Sequence, residues 1–465
     1  MPTVIKNNIV LFIAIVSFLI VKIPHLFLPF SWDEAWSYFP AIIELAKSGP
    51  SILPGKISIF FSKGHPLFFY FLNAVWIKIF SFETWVVRTL PLIFSIITII
   101  TLYFLGTKYF SKKTANYTVI IFSSQSLFLA QSTLLLPEVL LTLLLLLSFH
   151  FFLSNKLGYY AFFASLLVLT KETGLVFAFG FGLFIFIESL KNSWNRKVYK
   201  NLFIMTIPLV VFLIHLLLNF ISYNTFFFNE HIDLIDLNFD NIRRVVKSSN
   251  AILFTMYGRN VISFVAIVSF LFLLFKRKPI LNARILILMI FQIIMLLIFT
   301  SVNFYTYRYM LPAFPFFILL SVEIFNQTKI KHKLIHYSIV ALMIIVPLFY
   351  SATKSGKGDK DLGYVQYLPM LKEMVLYCEQ QEWDENIFAT EFNMLVALRN
   401  PITDYLTKDE GYKTQQLPNL ENANIVILDS TGEWKTIPEN EKPNFKFVKR
   451  FERKDNWGEI YIRKQ

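Results

Sequence analysis

Ser31-Trp32-Asp33-Glu34-Ala35-Trp36 sets two adjacent carboxylates between two tryptophans, directly after residues 9–28, an apolar run whose only charge is Lys22. A run of that length and character crosses a bilayer as a helix. Asp33 and Glu34 therefore emerge at the membrane surface, flanked by residues that favour the headgroup layer. Carboxylates held at that depth are costly and point to chemistry on a substrate that lives at the interface. The bland alternative is a pair of acids that cap and anchor a juxtamembrane helix.

The rest of the chain fits a polytopic membrane protein. Of 465 residues, 55% are hydrophobic and 52 are Phe, more apolar surface than a soluble fold can hide. The net charge of +13 falls mostly in short loops between apolar runs, which is a mark of topology and not of a nucleic-acid partner. The single cysteine, Cys378, cannot form an internal disulfide. Lys6 before a long apolar run, with no small-residue cleavage site after it, reads as an uncleaved signal anchor.

Eleven spans are expected, at roughly 8–28, 89–108, 116–135, 138–154, 157–170, 172–190, 201–221, 251–275, 284–303, 308–326 and 334–351. The segment 66–80 is apolar but short, and loop charge decides that it lies along the interface. With it non-crossing, Lys108, Lys112 and Lys113 share a side with Lys191, Arg196, Lys197 and Lys200. Lys276, Arg277, Lys278, Arg284, Lys329, Lys331 and Lys333 join them, so every strongly basic loop is cytoplasmic. Asp33, Glu34, Lys63, His65, Glu138, Lys171, Glu172 and Arg308 then meet on the outer face, with the acidic loop of Glu230, Asp233, Asp236 and Asp240. The expected architecture is an all-α membrane domain, residues 1–351, with interfacial helices in its first outer loop. A linker follows at 352–363, then a soluble extracytoplasmic α/β domain at 364–465. In that domain Leu368, Leu371, Val375 and Cys378 repeat at helical spacing, and 387–390, 425–428, 445–448 and 459–462 read as strands.

Several of these charges have two readings. Pro137-Glu138 is ordinary chemistry for a helix start, yet Glu138 is also a second acid at the outer face. Lys171, between apolar runs and beside Glu172, is either a snorkelling lysine or a cation awaiting a lipid phosphate. Arg308, in Tyr305-Thr-Tyr-Arg-Tyr, is either an interfacial anchor or a phosphate-binding fork. No His, Cys or Asp cluster has a recognised metal spacing, and the sequence identifies no cofactor and does not decide a divalent-metal requirement.

In order, the motifs resemble the GT-C superfamily of integral-membrane glycosyltransferases, in the branch of the protein O-mannosyltransferases and lipid A aminoarabinose transferases. The matching elements are Asp33-Glu34, Gly64-His65-Pro66, Arg88-Thr-Leu-Pro91, Glu138, Thr170-Lys171 and Arg308-Tyr-Met-Leu-Pro312, over about 330 residues. Three positions depart from that pattern: Glu138 stands where Asp is more frequent, Gln131 where a basic residue is, and Leu67 where a second proline is. The resemblance implies a catalytic Asp33, with Glu34 and Glu138 orienting sugar or acceptor hydroxyls. It also implies a polyprenyl-phosphate-sugar donor whose phosphate is held by Lys63, His65, Arg88, Lys171, Tyr305 and Arg308. The implied reaction is inverting transfer to a lipid, glycan or protein hydroxyl at the outer face of the cytoplasmic membrane. A transporter or flippase of a lipid-linked or anionic solute is the rival reading, and a membrane scaffold with a binding tail is a further one.

Overall fold

The structure is a computed structural model and describes residues 8–190, 196–353 and 358–464. Lys6, Lys191 and the linker residues 354–357 lie outside the described residues.

Among the described residues, seven helices are long and apolar enough to cross a membrane: Ile9–Phe27, Thr84–Tyr109, Arg196–Tyr223, Phe239–Phe275, Ala283–Ser301, Tyr307–Gln327 and Lys333–Thr353. Helices suit this setting because they satisfy every backbone group internally where no water can. Three shorter apolar helices, Glu138–Leu153, Leu157–Thr170 and Thr173–Ser189, complete the bundle. Their joints at 154–156 and 171–172 are tight, so consecutive helices run antiparallel.

Three expectations change in detail, one of them the span at 251–275, where left-handed Tyr257 (φ 54°) and Gly258 (φ 82°) break the helix ahead of Arg259–Phe275. The span expected at 116–135 is broken: a helix over Lys112–Ser123 ends and a short one over Ser126–Gln131 follows. At the break the Gln125 side-chain amide and the Ser124 hydroxyl both donate to the Ile121 carbonyl, at 2.8 Å each. Side chains that compete in this way for a backbone acceptor interrupt a helix. The first span tightens at Pro24 from an α-helix, Ile9–Lys22, into a 3-10 turn, Ile23–Phe27. Its lone charge is buried and satisfied. Lys22 Nζ lies 2.6 Å from His25 Nδ1 and donates to the hydroxyl of Tyr364, which belongs to the C-terminal region, at 3.2 Å.

The first loop returns to the face it leaves. Arg88 Nε donates to the Leu28 carbonyl at 3.0 Å and Arg88 Nη2 to the Pro29 carbonyl at 2.9 Å, so the end of the first span touches the start of the next. Between them lie helices over Phe39–Ser48, Ile59–Ser62 and Phe68–Ile79, of 10, 4 and 12 residues, each too short to cross.

The C-terminal region opens with the helix Tyr364–Gln380, whose inner face buries Leu368, Leu371, Val375 and Cys378 as the spacing predicts. It packs against strands β4 (Phe445–Arg453) and β5 (Asn456–Arg463). The five-stranded sheet runs β2-β1-β3-β5-β4, with β1 (Ile387–Thr390) parallel to β2 (Lys413–Gln416) and to β3 (Ile425–Asp429), and antiparallel pairs beyond β3. Strand β2, Lys-Thr-Gln-Gln, goes unpredicted because it is polar and sits at the edge. One apolar core is continuous from the membrane helices into this region, through Tyr364, Tyr367 and Leu371.

Candidate functional site

The two carboxylates of the opening motif point in different directions, and the backbone explains why. Trp32 takes a left-handed φ of 44°, unusual for a bulky residue. Its indole stacks on Tyr367 of the C-terminal helix, with ring centroids 6.1 Å apart. A π-turn over Glu34–Tyr38 follows at once, a form often found at functional sites.

Glu34 turns into the protein and lies 2% exposed. Its carboxylate accepts a two-pronged bond from Arg88, at 2.8 and 3.0 Å, and a third from the Leu135 amide at 2.6 Å. The remaining Arg88 donors reach the Leu28, Pro29 and Thr133 carbonyls. Both residues are fully occupied and neither lines the cavity described below. The structure therefore places Glu34 and Arg88, expected at the substrate, in a closed clamp that ties the first loop to the Glu138 loop.

Asp33 faces the other way, into a cavity of ≈ 1580 Å³. At one end of it stand Asp33, Lys63, His65, Lys171, Glu172, Arg308 and Asp359. The other wall is apolar: Leu175, Phe179 and Leu183 from the helix Thr173–Ser189, Met205 and Leu209 from Arg196–Tyr223, and Met295 and Phe299 from Ala283–Ser301.

Arg308 is the hub of the polar end. Its Nη2 pairs with Asp33, its Nη1 donates to Asp359 Oδ2 at 2.6 Å, and its Nε lies 3.4 Å from Glu138 Oε1. Lys171 donates to Glu138 Oε1 at 2.7 Å and sits 3.7 Å from the centre of the Tyr309 ring. Glu138 is buried behind these cations, off the cavity wall, and its Oε2 has no hydrogen-bond partner. One anion thus holds Lys171 and Arg308 side by side at the mouth of the apolar wall.

Asp33 also accepts from the Trp36 indole at 3.2 Å. Burial pushes its carboxyl up, but Arg308, with help from Lys63, outweighs burial and holds it below the usual carboxylate range. Lys63 sits over the Trp36 ring at 3.8 Å. It and Gly64 both take left-handed conformations, at φ 51° and 70°, which turn the chain so that His65 faces Glu172. A Cβ on Gly64 would meet the Phe228 backbone at 3.3 Å, so glycine answers both the fold of that turn and its close approach. His65 Nδ1 lies 2.9 Å from both Glu172 oxygens. Burial raises the Glu172 carboxyl, but His65 overrides it and brings it down to about 2.

Of the residues expected from sequence, Asp33, Lys63, His65, Lys171 and Arg308 line the cavity, and Glu138 supports it from behind. Tyr305 lines instead a smaller neighbouring space of ≈ 380 Å³, with Asp233, Asp236, Asn241 and Arg244. Glu172, which the sequence places on the outer face without a role of its own, pairs with His65 on the cavity wall, and Asp359 joins the site unannounced. Asp359 lies in a Lys-Ser-Gly-Lys-Gly-Asp stretch that reads as linker, and no local signal marks it. Among the described residues, no three His, Cys, Asp or Glu side chains form a metal-ligand set.

Residues 64–217 match the dolichyl-phosphate-mannose-protein mannosyltransferase family. Comparison with curated proteins finds no match. The structure is similar to that of ArnT from Cupriavidus metallidurans in the apo state, with TM-score 0.61 and 12% identity over 98% of each chain. The same protein bound to undecaprenyl phosphate matches with TM-score 0.61 and 12% identity, over 96% of this chain and 97% of that one. The Archaeoglobus fulgidus oligosaccharyltransferase AglB, in complex with an inhibitory peptide and a dolichol-phosphate, matches with TM-score 0.52 and 12% identity. That match covers 87% of this chain and 64% of AglB. The chain therefore has the GT-C fold, with its C-terminal domain included in the likeness to ArnT.

Proposed function

We propose, with the membrane glycosyltransferase fold as premise, that this chain transfers a sugar from a polyprenyl-phosphate carrier to an acceptor hydroxyl at the outer face of the cytoplasmic membrane. The observation that carries the proposal is the cavity: cations and carboxylates together at its polar end, Asp33 among them, and an apolar wall leading from them into the bundle. A lipid phosphate linked to a sugar has the same two-part chemistry. Its isoprenoid chain lies on the apolar wall and its phosphate meets Lys171 and Arg308.

Asp33 accepts the proton of the acceptor hydroxyl as that oxygen attacks the anomeric carbon. The bond from that carbon to the phosphate oxygen breaks, and the electron pair leaves with the polyprenyl phosphate. A single displacement inverts the anomeric centre. Lys171 and Arg308 stabilise the charge that grows on the leaving phosphate, in a site where oriented cations act strongly. Glu138 keeps those two cations in register. Lys63 and the His65–Glu172 pair line the approach and contact sugar or acceptor. Glu34 and Arg88 act through structure, by holding Asp33 on its turn. The relatives support both halves of the donor, since one is recorded with undecaprenyl phosphate and another with a dolichol-phosphate. A transporter is the weaker reading, because the ionisable groups sit at one end of the spans and not at their middle.

The test is transfer by the purified chain in nanodiscs, supplied with a panel of polyprenyl-phosphate sugars and a membrane acceptor extract. Sugar should leave its carrier, and Asp33→Asn should lower the rate by roughly 10²–10⁴-fold while donor binding survives. Transfer by Asp33→Asn at the wild-type rate would remove the general base from the scheme. Absence of donor binding by the wild-type chain would remove the reading altogether.

A further inference from the structure

Arg308 meets three carboxylates, and only one of them is poorly placed for the chemistry. Asp33 stands just before the π-turn and faces the cavity, and Glu138 is buried behind Lys171. Asp359 comes from the irregular stretch 358–363, between the last span and the C-terminal helix, and reaches in to take the Nη1 donor at 2.6 Å. Its side chain is 19% exposed and lines the same cavity as Lys171. Its backbone is fastened independently, because the Gln131 amide donates to the Asp359 carbonyl at 2.7 Å. The carboxylate can therefore swing away by side-chain rotation while the chain around it stays in place.

We infer that Asp359 is a displaceable counter-ion on Arg308 that competes with the polyprenyl phosphate for the guanidinium. This deepens the reading above and rests on it. The charges support it. Asp33, Glu138 and Asp359 set three acidic side chains against Lys63, Lys171 and Arg308, so an arriving phosphate brings negative charge to cations that already have partners. Release of Asp359 frees one guanidinium edge, which suits a phosphate better than a point charge does. Before transfer the phosphate is a diester with one charge. After transfer it is a monoester that gains a second, and its hold on Arg308 strengthens at the moment it must leave. A carboxylate tethered beside Arg308 returns to the guanidinium and lowers the affinity for that product.

The experiment measures binding of polyprenyl monophosphate to the full chain in nanodiscs, together with donor KM, kcat and inhibition by added polyprenyl phosphate. Asp359→Asn keeps size and hydrogen bonding but removes the competing charge. It should bind the monophosphate about 10-fold tighter, lower KM and become more sensitive to product inhibition, with kcat lowered by slow release. Asp359→Glu, which restores the charge on a longer arm, should move the affinity back toward wild type. If Asp359 merely orients Arg308, Asp359→Asn will instead bind the monophosphate more weakly or equally, and the inference falls while the transferase reading stands. If the wild-type chain binds no polyprenyl phosphate, both fall together.

Discussion

At the level of single residues, Asp33 is under two opposed pressures. Burial favours its neutral form, while Arg308 favours its charge and wins, so the carboxyl titrates below its ordinary value of 3.8. A depressed folded-state value means that Asp33 contributes stability at neutral pH, and loses it only as pH falls through that value. A base-dependent transfer should then keep its acid limb below about pH 4, the ordinary range for an aspartate. In Arg308→Gln burial loses its main opponent, and the acid limb of kcat/KM should move upward. The rate should also fall by about 10²-fold or more, the usual worth of an oriented charge at a transition state. Arg308→Lys, which keeps the charge, should hold the acid limb low. A limb that stays put in Arg308→Gln would mean that Asp33 does not carry the proton. The sequence reveals Asp33, Lys171 and Arg308 because a charge beside an apolar run has few harmless explanations. It cannot divide Asp33 from Glu34, since adjacent residues share every pattern and only the backbone turn between them sends one to solvent and the other inward. Asp359 is hidden for the opposite reason: an acid among Lys and Gly has a harmless explanation, and only a contact 51 residues back along the chain gives it a role.

At the level of elements, the Glu34–Arg88 clamp joins the end of the first span, the start of the second and the turn before Glu138. It is buried on both sides, at 0% and 2% side-chain exposure. A buried pair of this kind adds little over an apolar substitute, but breaking one side leaves the other charge stranded. Arg88→Met should therefore cost about 3–5 kcal/mol, read as a lower apparent melting temperature in detergent. The fraction that remains folded should still bind donor with near-normal affinity, because the cavity cations are untouched. A stable Arg88→Met chain with lost donor affinity would return Arg88 to the phosphate site that the sequence motif suggests. The elements themselves are mostly legible. The apolar runs, the helix at 364–380 and four of the strands follow from length and periodicity. The break at Ser124-Gln125 is not, because the polar run Ser123-Ser-Gln-Ser126 does not announce which backbone carbonyl its side chains will take. Nor is β2, whose polar residues join the sheet through backbone pairing with β1 and not through a buried face.

At the level of the whole molecule, the ends of the bundle are sorted. The site residues Asp33, His65, Lys171, Arg308 and Asp359 gather at one end. Contacts such as Arg284 with Glu188, Lys108 with Ser154 and the Leu281 amide with Gln327 join loops at the other ends of the same helices. The basic loops therefore lie opposite the site, and the bias of lysine and arginine toward the cytoplasm is the ground for proposing that the site faces outward. Cysteines at Asn229 and Asp409, both exposed, should react in intact cells with a thiol reagent that cannot cross the membrane. Cysteines at Lys200 and Arg277, also exposed, should react only after the membrane is opened. The natural Cys378 is buried, and burial pushes its thiol up to about 12, which makes it a poor nucleophile at neutral pH. Cys378→Ser nonetheless gives the cleaner background. The labelling decides the donor as well as the orientation. A site on the outer face meets carriers already flipped across the membrane and no soluble nucleotide sugar, whereas labelling of Lys200→Cys and Arg277→Cys from outside would place Asp33 and Arg308 in the cytoplasm. Nucleotide-sugar donors would then have to be tested first.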